Sequence, residues 1–172
     1  MDSTKLNDWM QVVGIFAVVA SLIFVGLQMK QSQEIAVAAQ YQERANTSVM
    51  FWVESKNDET SKIFWGRGFQ SFLESTEYPD GTAGWAKEMT VSDIGFVYLN
   101  AQSLLTQIDN HYLQYRSGFL NEESWAPFRA RLDGGLGLPP FIDFWAFTAH
   151  QWPQSFRDLV AEIQNKKESQ VR

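Results

Sequence analysis

Metal and acid–base chemistry usually begins with histidine, cysteine or paired carboxylates, and this sequence offers few of them. Its only histidines are His111 and His150. A carboxylate-bridged di-iron bundle needs Glu-x-x-His pairs, but Ile108 and Phe147 stand three residues before the two histidines. In Asp109-Asn110-His111 the carboxylate and imidazole are two apart, on different faces of a helix. His111 adjoins an apolar seam and reads as a boundary histidine. His150 closes a predicted helix, where a hydrogen-bond donor suits the free carbonyls. Axial ligation of a haem or chlorophyll by His150 is the one cofactor role its position would permit. With no cysteine, disulfides, thiolate nucleophiles and Cys-ligated zinc are excluded.

The remaining candidates read as structure. Gly134-Gly135-Leu136-Gly137 lacks a preceding strand and a Lys-Ser/Thr, so it is neither a dinucleotide fingerprint nor a P-loop. No Gly-x-Ser-x-Gly elbow occurs. Glu122 and Glu123 sit where a helix start favours negative charge. Asn46-Thr47-Ser48 fits a glycosylation sequon that falls within a predicted helix. The sequence therefore predicts no catalytic residue, no cofactor and no metal, and no enzyme.

What stands out is aromatic content: 15% of residues, with 13 Phe and 7 Trp. Phe141, Phe144, Trp145, Phe147, Trp152 and Phe156 fall within sixteen residues. Such rings build cores, or they anchor partners and lipid surfaces. Phe141, Phe144, Trp145 and Trp152 are the candidates for a partner surface.

Among the elements that would carry these residues, the clearest is an uncharged run from Trp9 to Met29, 21 residues bounded by Asp8 and Lys30. At about 1.5 Å per residue it spans roughly 31 Å, the hydrocarbon thickness of a bilayer. Trp9 occupies an interfacial position. A cleaved signal peptide would have a shorter apolar core with its small-x-small site close behind, whereas Ala36-Val37-Ala38 follows about ten residues later. Residues 1–30 are thus expected to form a membrane anchor. Lys30 abuts the apolar run, which favours a cytoplasmic body. Ala17 and Ser21 form a small-xxx-small pair, widened by Gly14 and Ala20, with Gly26 further along; such positions let two membrane helices approach closely.

Residues 31–172 are expected to fold as one helical domain. The segment 31–55 has neither Pro nor Gly, and Ile35, Ala38, Ala45, Val49 and Trp52 recur at helical spacing, so the anchor continues as one long helix. Further helices are predicted at about 60–74, 86–117, 121–132, 141–150 and 153–167. The third is the strongest: Val91, Ile94, Tyr98, Ala101, Leu105, Ile108, Tyr112 and Tyr115 alternate at three and four. Phe156, Leu159, Val160 and Ile163 mark one face of the last. The fold class is all-α, a transmembrane helix followed by a small antiparallel bundle.

Ser21 to Gln31, Ser-Leu-Ile-Phe-Val-Gly-Leu-Gln-Met-Lys-Gln, followed by Ala39-Gln40-Tyr41-Gln42, resembles the opening of a family of uncharacterised bacterial single-pass membrane proteins. Phe144-Trp145, then Phe156 and an amphipathic helix, is similar to their C-terminal part. The resemblance implies this architecture and a bacterial inner membrane, and carries no catalytic residues.

The net charge is −6, and the two bases and two acids of residues 1–30 cancel, so residues 31–172 carry all of it. No clustered basic face appears, which argues against nucleic acid as a partner. The expected partners are the lipid bilayer and another membrane protein or a second copy of the chain. The expected function is an accessory or scaffolding subunit. A self-associating module is the alternative, or a sensor domain holding a lipid or other apolar ligand.

Overall fold

Helix boundaries in this chain are set by short polar caps and by glycine. Asp58 Oδ2 accepts from the Ser61 backbone N–H at 2.7 Å, which starts α2 at Glu59 and holds the Asp58 carboxyl below its ordinary range. Thr90 and Asp93 form a reciprocal capping box, and α3 begins at Val91. Asn121 caps α4 by accepting from Ser124 N–H at 2.8 Å. Gly118 ends α3 in the left-handed region, φ 78°. The N–H of Phe119 reaches back to the Gln114 carbonyl at 2.9 Å, so α3 closes in a Schellman motif.

The computed structural model describes residues 3–75 and 82–171. It is 89% helical, with no strand among the described residues. The elements are α1 (Ser3–Ser55), α2 (Glu59–Ser75), a 3-10 turn (Thr82–Ala86), α3 (Val91–Arg116), α4 (Glu122–Gly135), α5 (Pro139–Thr148), a second 3-10 turn (Ala149–Gln151) and α6 (Gln154–Val171). By internal contacts the chain divides into Met1–Tyr41 and Gln42–Arg172. From Ser3 to Tyr41 the first unit is one continuous stretch of helix α1, whose side chains from Asn7 to Val37 are exposed.

The second unit is a bundle centred on α3. Ile94, Tyr98, Ala101, Leu105 and Ile108 of the expected seam are buried, and Gly95, Leu99 and Ser103 are buried on a second face. From Ala101 to Tyr115 no residue of α3 is fully exposed. Helix α2 crosses α3 backbone to backbone at two glycines. A Cβ on Gly66 would lie 2.0 Å from the Val91 carbonyl oxygen, and one on Gly95 would lie 1.9 Å from that of Lys62. Phe156, Leu159, Val160 and Ile163 of α6 enter the same core. Arg129–Glu162 at 2.8 Å and Lys167–Asp133 at 2.9 Å tie α4 to α6 at the surface.

Several boundaries differ from the sequence-based expectation for local reasons. Helix α3 starts at Val91 rather than 86, because the capping box stops it and Thr82–Ala86 winds as a 3-10 turn. Helix α4 runs through Gly134 and Gly135 rather than ending at 132. Helix α5 begins at Pro139, since prolines are pre-set for a first turn. Pro153 precedes α6 and supplies its carbonyl to the N–H groups of Phe156 and Arg157. The turn residues Pro79-Asp80-Gly81 predict a loop between α2 and α3; they lie outside the described residues.

Candidate functional site

The titratable side chains of the bundle are mostly committed to structure. Among the described residues no three His, Asp or Glu side chains gather as a metal site would require. His111 Nδ1 lies 2.7 Å from the Gln107 carbonyl and its ring stacks on Phe128 with centroids 3.6 Å apart. His150 lies in the second 3-10 turn, exposed to solvent. Asp109, on α3, is pushed up to about 6 by burial.

The buried polar feature is Asp143. Its side chain is fully buried; Oδ2 accepts from the Trp85 indole N–H at 2.7 Å, and Oδ1 has no partner among the described residues. This bond joins α5 to the first 3-10 turn. Below it, Trp152 donates to Thr148 Oγ1 at 3.3 Å, and Thr148 donates to the Phe144 carbonyl at 2.8 Å.

The rings around α5 form two clusters. Phe69, Tyr98, Phe144 and Phe147 make one, with Phe69–Phe147 centroids at 5.5 Å and Tyr98–Phe144 at 5.1 Å. Trp145, Trp152 and Phe156 make the other, with Trp152–Phe156 at 5.4 Å. Phe144, Trp145 and Trp152 are therefore core residues, and Phe141 is half-buried. This corrects the expectation of a partner surface at Phe144, Trp145 and Trp152, which are covered by the bundle itself. A short helix packed on α2, α3 and a turn has little face left for solvent, and rings as large as these are the cheapest way to fill the gap. The exposed aromatics of the bundle lie elsewhere. Phe51, Trp52, Trp65 and Phe64 run ring to ring at 4.8, 5.3 and 5.2 Å, and the outer rings, Phe51 and Phe64, are 52% and 68% exposed. Nothing in the sequence periodicity separates these rings from core aromatics.

Helix α1 holds the other candidate. Its most apolar 18-residue window has a mean hydropathy of 2.4 and none of it is buried. Among the described residues one helix is thus long and apolar enough to cross a membrane. Residues advance about 100° per step around a helix. Taking Gly14 as reference, Ser32, Val25, Ser21, Val18, Gln28, Gln11 and Ala17 all fall within about 60° of it. Gln11, Ser21 and Gln28 are the only residues between Trp9 and Met29 with polar side chains apart from Trp9, and all three share this face. Phe16, Ile23 and Leu27 face the opposite way. Two shallow grooves follow each other along the polar face, one at Gln11, Gly14 and Val18 and the next at Val25, Gln28 and Ser32.

No family model matches the chain. No curated protein or solved structure matches it either. The resemblance at Ser21–Gln31 gains no support from these comparisons.

The structure also sorts the small residues singled out by type. Gly14, Ala17 and Ser21 share the polar face, whereas Ala20 and Gly26 each lie about 120° away from Gly14 and do not. Trp9 is exposed on the far side. The signal missed by counting small residues was the angular coincidence of Gln11, Ser21 and Gln28, which a helical projection of the sequence contains.

Proposed function

We propose that the chain is a single-pass, membrane-anchored accessory or scaffolding subunit that docks a second transmembrane helix. One observation carries this reading: every side-chain carboxamide and hydroxyl between Trp9 and Met29 lies on one face of an otherwise apolar, unburied helix. In hydrocarbon such groups seek partners, and small residues beside them let another backbone approach. A soluble core helix would have its apolar residues covered, and here none of the apolar window is. A signal peptide would be cut near Ala36-Val37-Ala38, but that stretch lies inside the uninterrupted helix α1. We place the bundle in the cytoplasm on the strength of Lys30 beside the span; the bacterial inner membrane rests on the resemblance at Ser21–Gln31 alone.

The test is extraction. The full chain should stay with the membrane pellet in alkaline carbonate and require detergent for release. In mild detergent it should elute as a complex larger than 19.7 kDa. Release by carbonate, or recovery only as a bare monomer, would remove the proposal. Protease protection in intact spheroplasts tests the side, with a cytoplasmic bundle resisting added protease.

A further inference from the structure

The polar face of α1 carries more information than its presence. Gln11, Val18, Val25 and Ser32 recur every seven residues, as do Gly14, Ser21 and Gln28. A seven-residue repeat on one face is the register of a left-handed helix pair. Gln11 and Gln28 sit near the two ends of the span, roughly 25 Å apart along the axis.

We infer that the helix docked on this face is the same helix of a second copy, giving a parallel homodimer in which Gln11 meets Gln11 and Gln28 meets Gln28. The inference rests on the reading that Trp9–Met29 spans a membrane and docks a helix. The occupant follows from matching at two depths. A carboxamide is at once donor and acceptor, so it pairs with its own image across a two-fold axis. Copies inserted with the same topology bring Gln11 and Gln28 to the same two depths without further specification. An unrelated helix would have to supply a polar partner at each of them. Gly14 and Ser21 keep the backbones close between these bonds, and Val18 and Val25 fill the seam. The small residues alone would not select a partner; the paired carboxamides do.

The chain has no native cysteine among its residues, so single-cysteine variants report contacts cleanly. The full chain carrying Val18→Cys or Val25→Cys is reconstituted into vesicles of phosphatidylethanolamine and phosphatidylglycerol. It is then oxidised with copper–phenanthroline in air, which joins two thiols as a disulfide while oxygen is reduced. A disulfide-linked dimer of twice 19.7 kDa is expected from both variants and not from Ile23→Cys, on the opposite face. Replacing Gln11 or Gln28 by Leu should weaken association about threefold each, and both together about tenfold. Equal crosslinking at Ile23→Cys, or a monomer in vesicles, overturns the homodimer. If Val18→Cys in native membranes is then captured by a different protein, the docking proposal stands and only its partner changes. If it is captured by nothing, both fall.

Discussion

Two glycines in α2 provide a test with opposite signs. Gly66 and Gly68 are two residues apart on the same helix, and in sequence both look like weak points. In the structure a methyl group on Gly68 meets nothing within 4 Å, while one on Gly66 would sit 2.0 Å from the Val91 carbonyl oxygen and 2.9 Å from the Gly95 nitrogen. Carbon–oxygen contacts settle at about 3.3 Å or more, so Gly66→Ala must push α2 and α3 apart by more than about 1 Å. Backbone atoms cannot rotate away as a side chain would. Separation loosens the Trp65–Tyr98 stack at 5.4 Å and the Phe69–Tyr98 contact at 5.8 Å. Overpacking of this kind costs about 1–3 kcal/mol, and the unyielding partner puts the expected loss near 3 kcal/mol. Alanine's helix propensity returns about 1 kcal/mol, leaving a net loss of about 2 kcal/mol. Gly68→Ala receives the propensity gain alone, about 0.5–1 kcal/mol of added stability. The assay is urea unfolding of the full chain in detergent, followed by tryptophan fluorescence. A Gly66→Ala variant at least as stable as the parent, or a Gly68→Ala variant that is less stable, would refute the backbone-contact account.

Three further outcomes are expected. Trp85→Phe removes the Trp85–Asp143 hydrogen bond, the one side-chain bond to the buried Asp143 carboxyl among the described residues, and should cost about 1–3 kcal/mol, read by the same unfolding assay; an unchanged midpoint would show the bond to be idle. Asp109, raised from 3.8 to about 6, binds its proton more tightly folded than unfolded, so it penalises the fold above about pH 6 and not below about pH 4. Asp109→Asn should therefore raise the thermal midpoint at pH 7.5, with the gain fading as pH falls to 4, and a pH-independent effect would contradict that sign. Gly118→Ala forces a left-handed alanine after α3 and should lose about 1 kcal/mol without altering the membrane fraction.

The helices were legible because their signals are local. The three-four spacing from Val91 to Tyr115, the Asn121 cap and the uncharged run after Asp8 each sit within one element. Ring assignment was not legible, because Phe144 and Phe64 are chemically alike and only the arrival of α2, the first 3-10 turn and α3 decides which is covered. The same holds for Gly66, whose value comes from Val91, twenty-five residues later in the chain. The candidate site was half legible. Gly14, Ala17 and Ser21 were found by size, but size also drew in Ala20 and Gly26, which angular position excludes.

Helix α6 places Phe156, Leu159, Val160 and Ile163 in the same core as Phe69 and Leu99, so the bundle cannot be completed until Ile163 has been synthesised. The apolar run of α1 leaves the ribosome before any part of the bundle. At about 5–20 residues per second, it precedes Ile163 by several seconds at least. During that interval Phe69, Trp125 and Phe144 have no finished interior to enter. A nascent chain delivered early to the bilayer would spend this aggregation-prone period tethered and diluted in two dimensions rather than free in solution. On this view the order of segments along the chain is itself protective, and moving the apolar run Trp9–Met29 behind α6 should lower the yield of folded protein even though the residues that build the bundle are untouched.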